Sequence, residues 1–158
     1  VYSEPGRGTT FKVYLPRTDA APAERRGRTE VGAATGVEAV LVVEDEDAVR
    51  KLAARILRKA GYQVQTAANG GEALLLCEKN AGAVDLLLTD VVMPRMSGKE
   101  LAERLAVSCP GLKGLYMSGY TDNAIVHHGV LDPGTRFIGK PFSAADLTRK
   151  VRDVLDGK

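Results

Sequence analysis

The sequence of 158 residues is poor in several features that mark particular classes of protein. Its only cysteines, Cys77 and Cys109, lie far apart and form no C-x-x-C motif, so we expect two reduced, buried thiols and no disulfide framework. No apolar run approaches the ~18 residues of a membrane span, and no signal-peptide pattern is present. We therefore expect a cytoplasmic segment of a longer protein, whose upstream segments could attach the parent to a membrane.

The chain also has no strong excess of positive or negative charge. The formal net charge is +2, with six basic and five acidic residues in 1–38 and sixteen and fifteen in 39–158. This even mixture excludes a basic nucleic-acid patch and an acidic tail. We expect neither a nucleic-acid partner nor membrane contact for this chain.

Composition divides the chain into three regions. Residues 1–16 contain a glycine turn, Gly6-Arg7-Gly8-Thr9, and then an alternating pattern that predicts a short strand over Thr10–Leu15. Residues 17–38 are rich in Ala, Gly, Arg, Thr and Glu and too poor in large apolar residues to order themselves, which predicts a linker. Residues 39–158 form the third region, where apolar runs alternate with helical patterns.

The third region has the pattern of an α/β domain. Its apolar runs predict strands at 40–43, 62–66, 84–89, 112–117 and 135–138. A helical pattern follows each run, with capping signals at Asn69, Ser97 and Ser143 and a weak helix from Thr121 to His127. This alternation predicts a doubly wound, five-stranded parallel sheet with helices on both faces, in the flavodoxin-like strand order 2-1-3-4-5.

Chemically active side chains follow four of these strands. Glu44 and Asp45 follow the first strand, Asp90 the third, Ser118 the fourth and Lys140 the fifth. Because the carboxyl ends of parallel strands share one edge, the three carboxylates should converge there. Like charges that close repel one another unless a hard divalent cation lies among them, so the sequence predicts a Mg²⁺ site.

A carboxylate beside Mg²⁺, a lysine and a hydroxyl is typical of phosphoryl transfer. We expect Asp90 to be the nucleophile and to form an aspartyl phosphate. Lys140 would neutralise charge on the transferring oxygens, and Ser118 would donate a hydrogen bond to one of them.

These residues lie in five blocks that resemble the receiver domains of two-component signalling, over about residues 39–156. The blocks are Glu44-Asp45, Asp85-Leu-Leu-Leu-Thr-Asp90-Val-Val-Met-Pro94, Met96-Ser97-Gly98, Ser118-Gly119-Tyr120 and Lys140-Pro141-Phe142. The resemblance implies that Glu44, Asp45 and Asp90 hold Mg²⁺ together with the backbone carbonyl of Val92. It also implies a cis bond between Lys140 and Pro141.

The same resemblance implies a conformational switch. Phosphorylation would draw Ser118 towards the phosphate and turn Phe137 inward, changing the face formed by the fourth helix, fifth strand and fifth helix. Tyr120 is either part of this switch or a surface aromatic beside the site.

A second resemblance concerns residues 1–16. The stretch Ser3–Pro16, with its Gly6-Arg-Gly8-Thr9 turn, is similar to the C-terminal end of a histidine-kinase ATP-binding domain. It implies that a receiver at 39–158 follows a kinase, as in a hybrid sensor kinase. The other nucleotide-binding elements of that domain do not occur in the sequence, so we expect no ATP binding by this chain.

The sequence thus favours a phospho-accepting module, monomeric or weakly dimeric, that catalyses only its own phosphorylation and dephosphorylation. Its donor would be a phosphohistidine on a histidine kinase or phosphotransfer domain. One alternative is a phosphohydrolase with an aspartyl nucleophile, but Val92 stands where haloacid-dehalogenase-like enzymes carry a second acid. The other is a pseudo-receiver that only binds, which the complete set of acids, hydroxyl and lysine argues against.

Overall fold

A computed structural model of the protein describes residues 1–14, 35–79, 84–119 and 135–158. The chain forms two compact units, Val1–Glu30 and Val31–Lys158. The predicted helix from Thr121 to His127 and most of the predicted linker lie outside the described residues.

The first unit contains an antiparallel hairpin, with β1 at Tyr2–Glu4 and β2 at Gly8–Thr10. Gly6 and Gly8 both have positive φ angles, which explains why the turn needs glycine. The prediction of a strand over Thr10–Leu15 was wrong, because the strand ends at Thr10 and 11–14 lie outside it. The apolar side chains in 11–14 are exposed, since residues 1–14 offer them no second layer to pack against.

The second unit contains the predicted parallel sheet. Its strands are β3 (Ala39–Val43), β4 (Gln63–Ala67), β5 (Leu86–Asp90), β6 (Lys113–Ser118) and β7 (Phe137–Gly139). Their order is β4-β3-β5-β6-β7, and all four pairings are parallel. This arrangement confirms the predicted strand order 2-1-3-4-5.

Four helices occur in the described parts of this unit. They are α1 (Asp47–Lys59), α2 (Gly70–Lys79), α3 (Gly98–Ser108) and α4 (Ala144–Asp156). Their starts agree with the predicted caps: the side chains of Asn69, Ser97 and Ser143 each accept a hydrogen bond from the backbone N–H three residues later. None of the described helices is long and apolar enough to cross a membrane.

The core lies on both faces of the sheet because alternate strand residues point in opposite directions. Val40 and Val42 pack on one face with residues of α1 and α4, whereas Leu41 and Val43 pack on the other with residues of α2 and α3. All four valine and leucine side chains are fully buried, as the continuous apolar run predicts. Both cysteines are buried and unbonded, which agrees with the prediction of reduced thiols.

Candidate functional site

Three carboxylates meet at the carboxyl edge of the sheet. Glu44 and Asp45 directly follow β3, and Asp90 is the last residue of β5. The parallel pairing of β3 with β5 aligns Val43 with Thr89 and so brings the two strand ends together. Carboxylate oxygens of all three residues lie within 4.8 Å of one another. The predicted convergence of these acids is therefore observed.

Lys140 lies between two of these acids. Its Nζ atom donates to Glu44 Oε2 at 2.6 Å and to Asp90 Oδ2 at 3.0 Å. The side chains of Glu44, Asp90 and Lys140 are 1%, 15% and 19% exposed, so these contacts are largely shielded from water. The ammonium group is thus held directly beside the carboxylate of Asp90.

Burial and ion pairing have opposite effects on the pKa values of Glu44 and Lys140. Burial raises the pKa of Glu44, and the nearby charge of Asp90 raises it further, against the lowering effect of the Lys140 hydrogen bond. Burial alone would lower the pKa of Lys140, but its hydrogen bonds to Glu44 and Asp90 outweigh that effect, so its pKa is raised. Lys140 therefore stays protonated, as a group that neutralises anionic oxygens must.

Ser118 ends β6, which lies between β5, the strand that ends at Asp90, and β7, the strand that precedes Lys140. Its side chain is buried, and its carbonyl oxygen accepts a hydrogen bond from the backbone N–H of Lys140 at 2.6 Å. The β6–β7 register pairs Ser118 with Gly139, directly before the lysine. The Lys140–Pro141 bond is cis, as the resemblance implied.

The three acids suit a divalent cation. A single lysine faces them in the described structure, and it can offset only part of their negative charge. Asp45 is exposed, whereas Glu44 is buried, so the cluster offers oxygen ligands on a side open to solvent. Mg²⁺ prefers such carboxylate oxygens and keeps several waters, which an open cluster permits. Val92 lies in the loop after β5, with its side chain exposed.

Two further residues shape the site, and neither was predicted to have a role. The guanidinium of Arg50 donates to the backbone oxygens of Glu44 at 2.7 Å and Asp45 at 3.4 Å, which holds this turn. Gly98 lies so close to Asp90 that an added Cβ would come within 3.1 Å of the Asp90 carbonyl carbon and nearer still to its oxygen. The Met96-Ser97-Gly98 block was a signal for Gly98, whereas nothing distinguishes Arg50 from other basic residues of α1.

The expected switch residues are described in part. Phe137 lies in β7, is half-buried and packs against the pair of buried residues Val91 and Tyr116. Val91 follows Asp90 directly, so this aromatic cluster adjoins the acidic site. Tyr120 lies outside the described residues.

The chain belongs to the response regulator receiver domain family, whose model matches residues 40–152. It is 40% identical over 162 residues to the sensor kinase CckA of Brucella abortus; this match covers 98% of the chain but only 17% of that kinase. It is also 33% identical to the response regulator receiver protein CpdR of Brucella abortus, covering 73% of the chain and 95% of CpdR.

Solved structures agree with this assignment. The receiver domain of the hybrid histidine kinase CckA is similar with a TM-score of 0.63 and 39% identity, covering 74% of this chain and 98% of that one. The chemotaxis protein CheY4 of Vibrio cholerae is similar with a TM-score of 0.65 and 30% identity, covering 75% of this chain and 99% of that one. The chain thus contains a receiver domain of two-component signalling, over residues 40–152.

Proposed function

We propose that this receiver accepts a phosphoryl group on Asp90 from a phosphohistidine and that the reaction depends on Mg²⁺. The observation that carries the proposal is the convergence of three carboxylates with the Nζ atom of Lys140, 3.0 Å from Asp90 Oδ2. This arrangement combines a nucleophile, a fixed positive charge and a set of metal ligands.

Each side chain has a part in the transfer. An oxygen of Asp90 forms a bond to phosphorus while the phosphorus–nitrogen bond of the donor breaks, and the imidazole nitrogen keeps that electron pair. Lys140 offsets the charge on the transferring oxygens, and the hydroxyl of Ser118 donates to one of them. Arg50 keeps Glu44 and Asp45 in place through their backbone oxygens.

Glu44, Asp45 and Asp90 would hold the metal, with the carbonyl of Val92 as a further ligand. When bound, Mg²⁺ would neutralise negative charge on the phosphoryl oxygens and so lower the barrier to attack. The chain would act only on itself, catalysing its own phosphorylation and dephosphorylation, and would not be an enzyme in the usual sense. Ser118 and Phe137 would then report phosphorylation to the face formed by the predicted fourth helix (121–127), β7 and α4, which is the predicted fifth helix.

The parent protein would be a cytoplasmic or membrane-attached hybrid histidine kinase. The match to the Brucella kinase covers 98% of the chain, so it includes residues before the receiver. This supports the interpretation of residues 1–16 as the end of a kinase ATP-binding domain. The donor would be a histidine kinase or phosphotransfer domain.

Acetyl phosphate provides a test that needs no protein donor. The chain is incubated with Mg²⁺ and acetyl phosphate, and the intact mass is measured. We expect one phosphoryl adduct in the wild type and in Asp153→Asn, a carboxylate on α4 outside the acidic cluster. We expect none in Asp90→Asn or when EDTA removes the metal.

The outcome also separates the alternatives. A wild type that takes up no phosphoryl group, or an Asp90→Asn variant that labels as well as the wild type, contradicts the proposal. Absence of labelling with retained metal binding would favour a pseudo-receiver. Sustained multiple turnover of small phosphomonoesters would favour a phosphohydrolase.

A further inference from the structure

Residues 35–38, which we call the arm, pack on the receiver although they belong to the predicted linker. The backbone N–H of Gly36 donates to the carbonyl of Ala60 at 3.2 Å, and the carbonyl of Glu38 accepts from the N–H of Gln63 at 3.0 Å. Both bonds lie at the amino end of β3, opposite the acidic site. The arm is therefore held by the body of the receiver.

The fit of the arm depends on two glycines. A Cβ at Gly36 would lie 2.7 Å from the Cζ atom of Tyr62, so only a bare backbone can cross this ring. A Cβ at Gly61 would lie 2.7 Å from the carbonyl oxygen of Gly36, and Gly61 also has a positive φ angle. Tyr62 is buried beneath this contact. The close approach identifies a specific docking surface for the arm.

An ion pair ties the arm to the last helix. Glu38 Oε1 lies 2.7 Å from a guanidinium nitrogen of Arg152, and both side chains are about three-quarters buried. The other carboxylate oxygen of Glu38 accepts from the N–H of Val37 at 2.9 Å. The hydrogen bond from Arg152 is the main reason that the pKa of Glu38 is lowered. Arg152 also pairs with Asp156, which fixes the guanidinium on α4.

Two ion pairs thus join the same two segments at opposite ends of the sheet. Glu44 follows β3 and pairs with Lys140, whereas Glu38 precedes β3 and pairs with Arg152. Lys140 and Arg152 belong to one continuous stretch, because α4 begins only four residues after the lysine. In the proposed phosphorylation, Lys140 turns from Glu44 towards the new phosphoryl oxygens. The ion pair between Lys140 and Glu44 is then lost, and only the pair between Arg152 and Glu38 still joins the two segments.

From this geometry we infer that the arm is an intramolecular docking segment whose attachment, through Glu38 and Arg152, is coupled to the state of Asp90. Phosphorylation loosens the arm, and release of the arm favours the conformation that accepts the phosphoryl group. The coupling rests on the proposed function, whereas docking of the arm does not. It gives the receiver a route by which its state reaches the chain upstream.

Docking is tested first, by amide hydrogen exchange of Gly36 in the unphosphorylated protein, because its N–H donates to the body of the receiver. Removing the ion pair in Arg152→Gln or Glu38→Gln should accelerate this exchange about three- to tenfold, as expected for a charged contact that is about three-quarters buried. The control is Arg149→Gln, since Arg149 pairs with Asp146 on the same helix, at 2.9 Å. Unchanged amide shifts in β5 verify the fold. If the Gly36 amide exchanges as slowly in Arg152→Gln and Glu38→Gln as it does in Arg149→Gln, the docking inference is wrong.

Coupling is tested by labelling with acetyl phosphate. Labelling of Arg152→Gln should be about fivefold faster than that of wild type and Arg149→Gln, because the rate follows the population of the competent conformation. Exchange at Gly36 should accelerate by a similar factor in phosphorylated wild type. Equal or slower labelling, or unchanged exchange, overturns the coupling. A wild type that does not label overturns the proposed function and the coupling together, but leaves the docking result standing.

Discussion

Substitution of Gly98 by alanine tests how closely α3 supports the phospho-accepting residue. Gly98 begins α3, and its N–H donates to the carbonyl of Val91 at 3.0 Å. An added Cβ would lie 2.9 Å from Thr89 Cγ2 and 3.1 Å from the carbonyl carbon of Asp90. Unstrained contacts between carbon atoms are about 3.5–4.0 Å. The carbonyl oxygen of Asp90 lies nearer still to the added Cβ, so the backbone at Asp90 must move by about 1 Å or more.

The size of the effect follows from this overlap. Forcing a methyl group into a packed site costs about 1–3 kcal/mol, and the better helix propensity of alanine recovers at most ~1 kcal/mol. The two terms together span about 0–3 kcal/mol. Because the overlap is with backbone atoms of Asp90, we expect the free energy of unfolding of Gly98→Ala to fall by about 2 kcal/mol. A displacement of ~1 Å at a reacting group can lower a rate by ~100-fold, so labelling of Asp90 should slow by at least about tenfold.

Urea denaturation and acetyl phosphate labelling measure the two effects separately. A domain that loses about 2 kcal/mol of the usual 5–15 kcal/mol stays almost fully folded, so slower labelling reports a moved Asp90. Gly111→Ala is the matched control, because a Cβ added there would meet no atom within 4 Å and the φ angle of Gly111 is ordinary. If Gly98→Ala has the same free energy of unfolding and the same labelling rate as the wild type, the reasoning from the close approach of Gly98 to Asp90 fails.

Three further predictions concern metal, pH and charge. Mg²⁺ at about 100 times its dissociation constant should stabilise the wild type by ~2.7 kcal/mol in thermal or urea unfolding. It should have little effect on Asp45→Asn and its full effect on Asp153→Asn, which lies on α4 outside the acidic cluster. The pKa of Glu38 lies below its ordinary value of 4.5, so its contribution to stability is present above about pH 5 and is lost as the pH falls through the lowered pKa. In urea titrations at decreasing pH, the difference in unfolding free energy between wild type and Glu38→Gln should therefore shrink. Lys140→Met leaves Glu44 buried without its cation, so the free energy of unfolding at pH 7.5 in EDTA should fall by about 2–4 kcal/mol. A variant as stable as the wild type would contradict the described ion pair.

Much of the fold could be predicted because its signals are local. The run Val40–Val43 indicated a strand covered on both faces, and Ser97 and Ser143 marked helix starts that the structure confirms. The strand predicted over Thr10–Leu15 was wrong, because alternation of apolar residues indicates a strand only where a partner layer exists. Residues 1–14 provide no such layer, and the strand ends at Thr10.

The sequence by itself determined which groups the site contains, since each lies at the end of a recognisable strand. Only the tertiary structure decided their contacts: Lys140 and Glu44 are 96 positions apart, and the register of the sheet places them 2.6 Å from each other. The same holds for the support that Gly98 gives to Asp90 and for the pair of Glu38 with Arg152. Periodicity reflects burial along one segment, whereas distances between segments depend on how strands pair and helices pack, which no short pattern encodes.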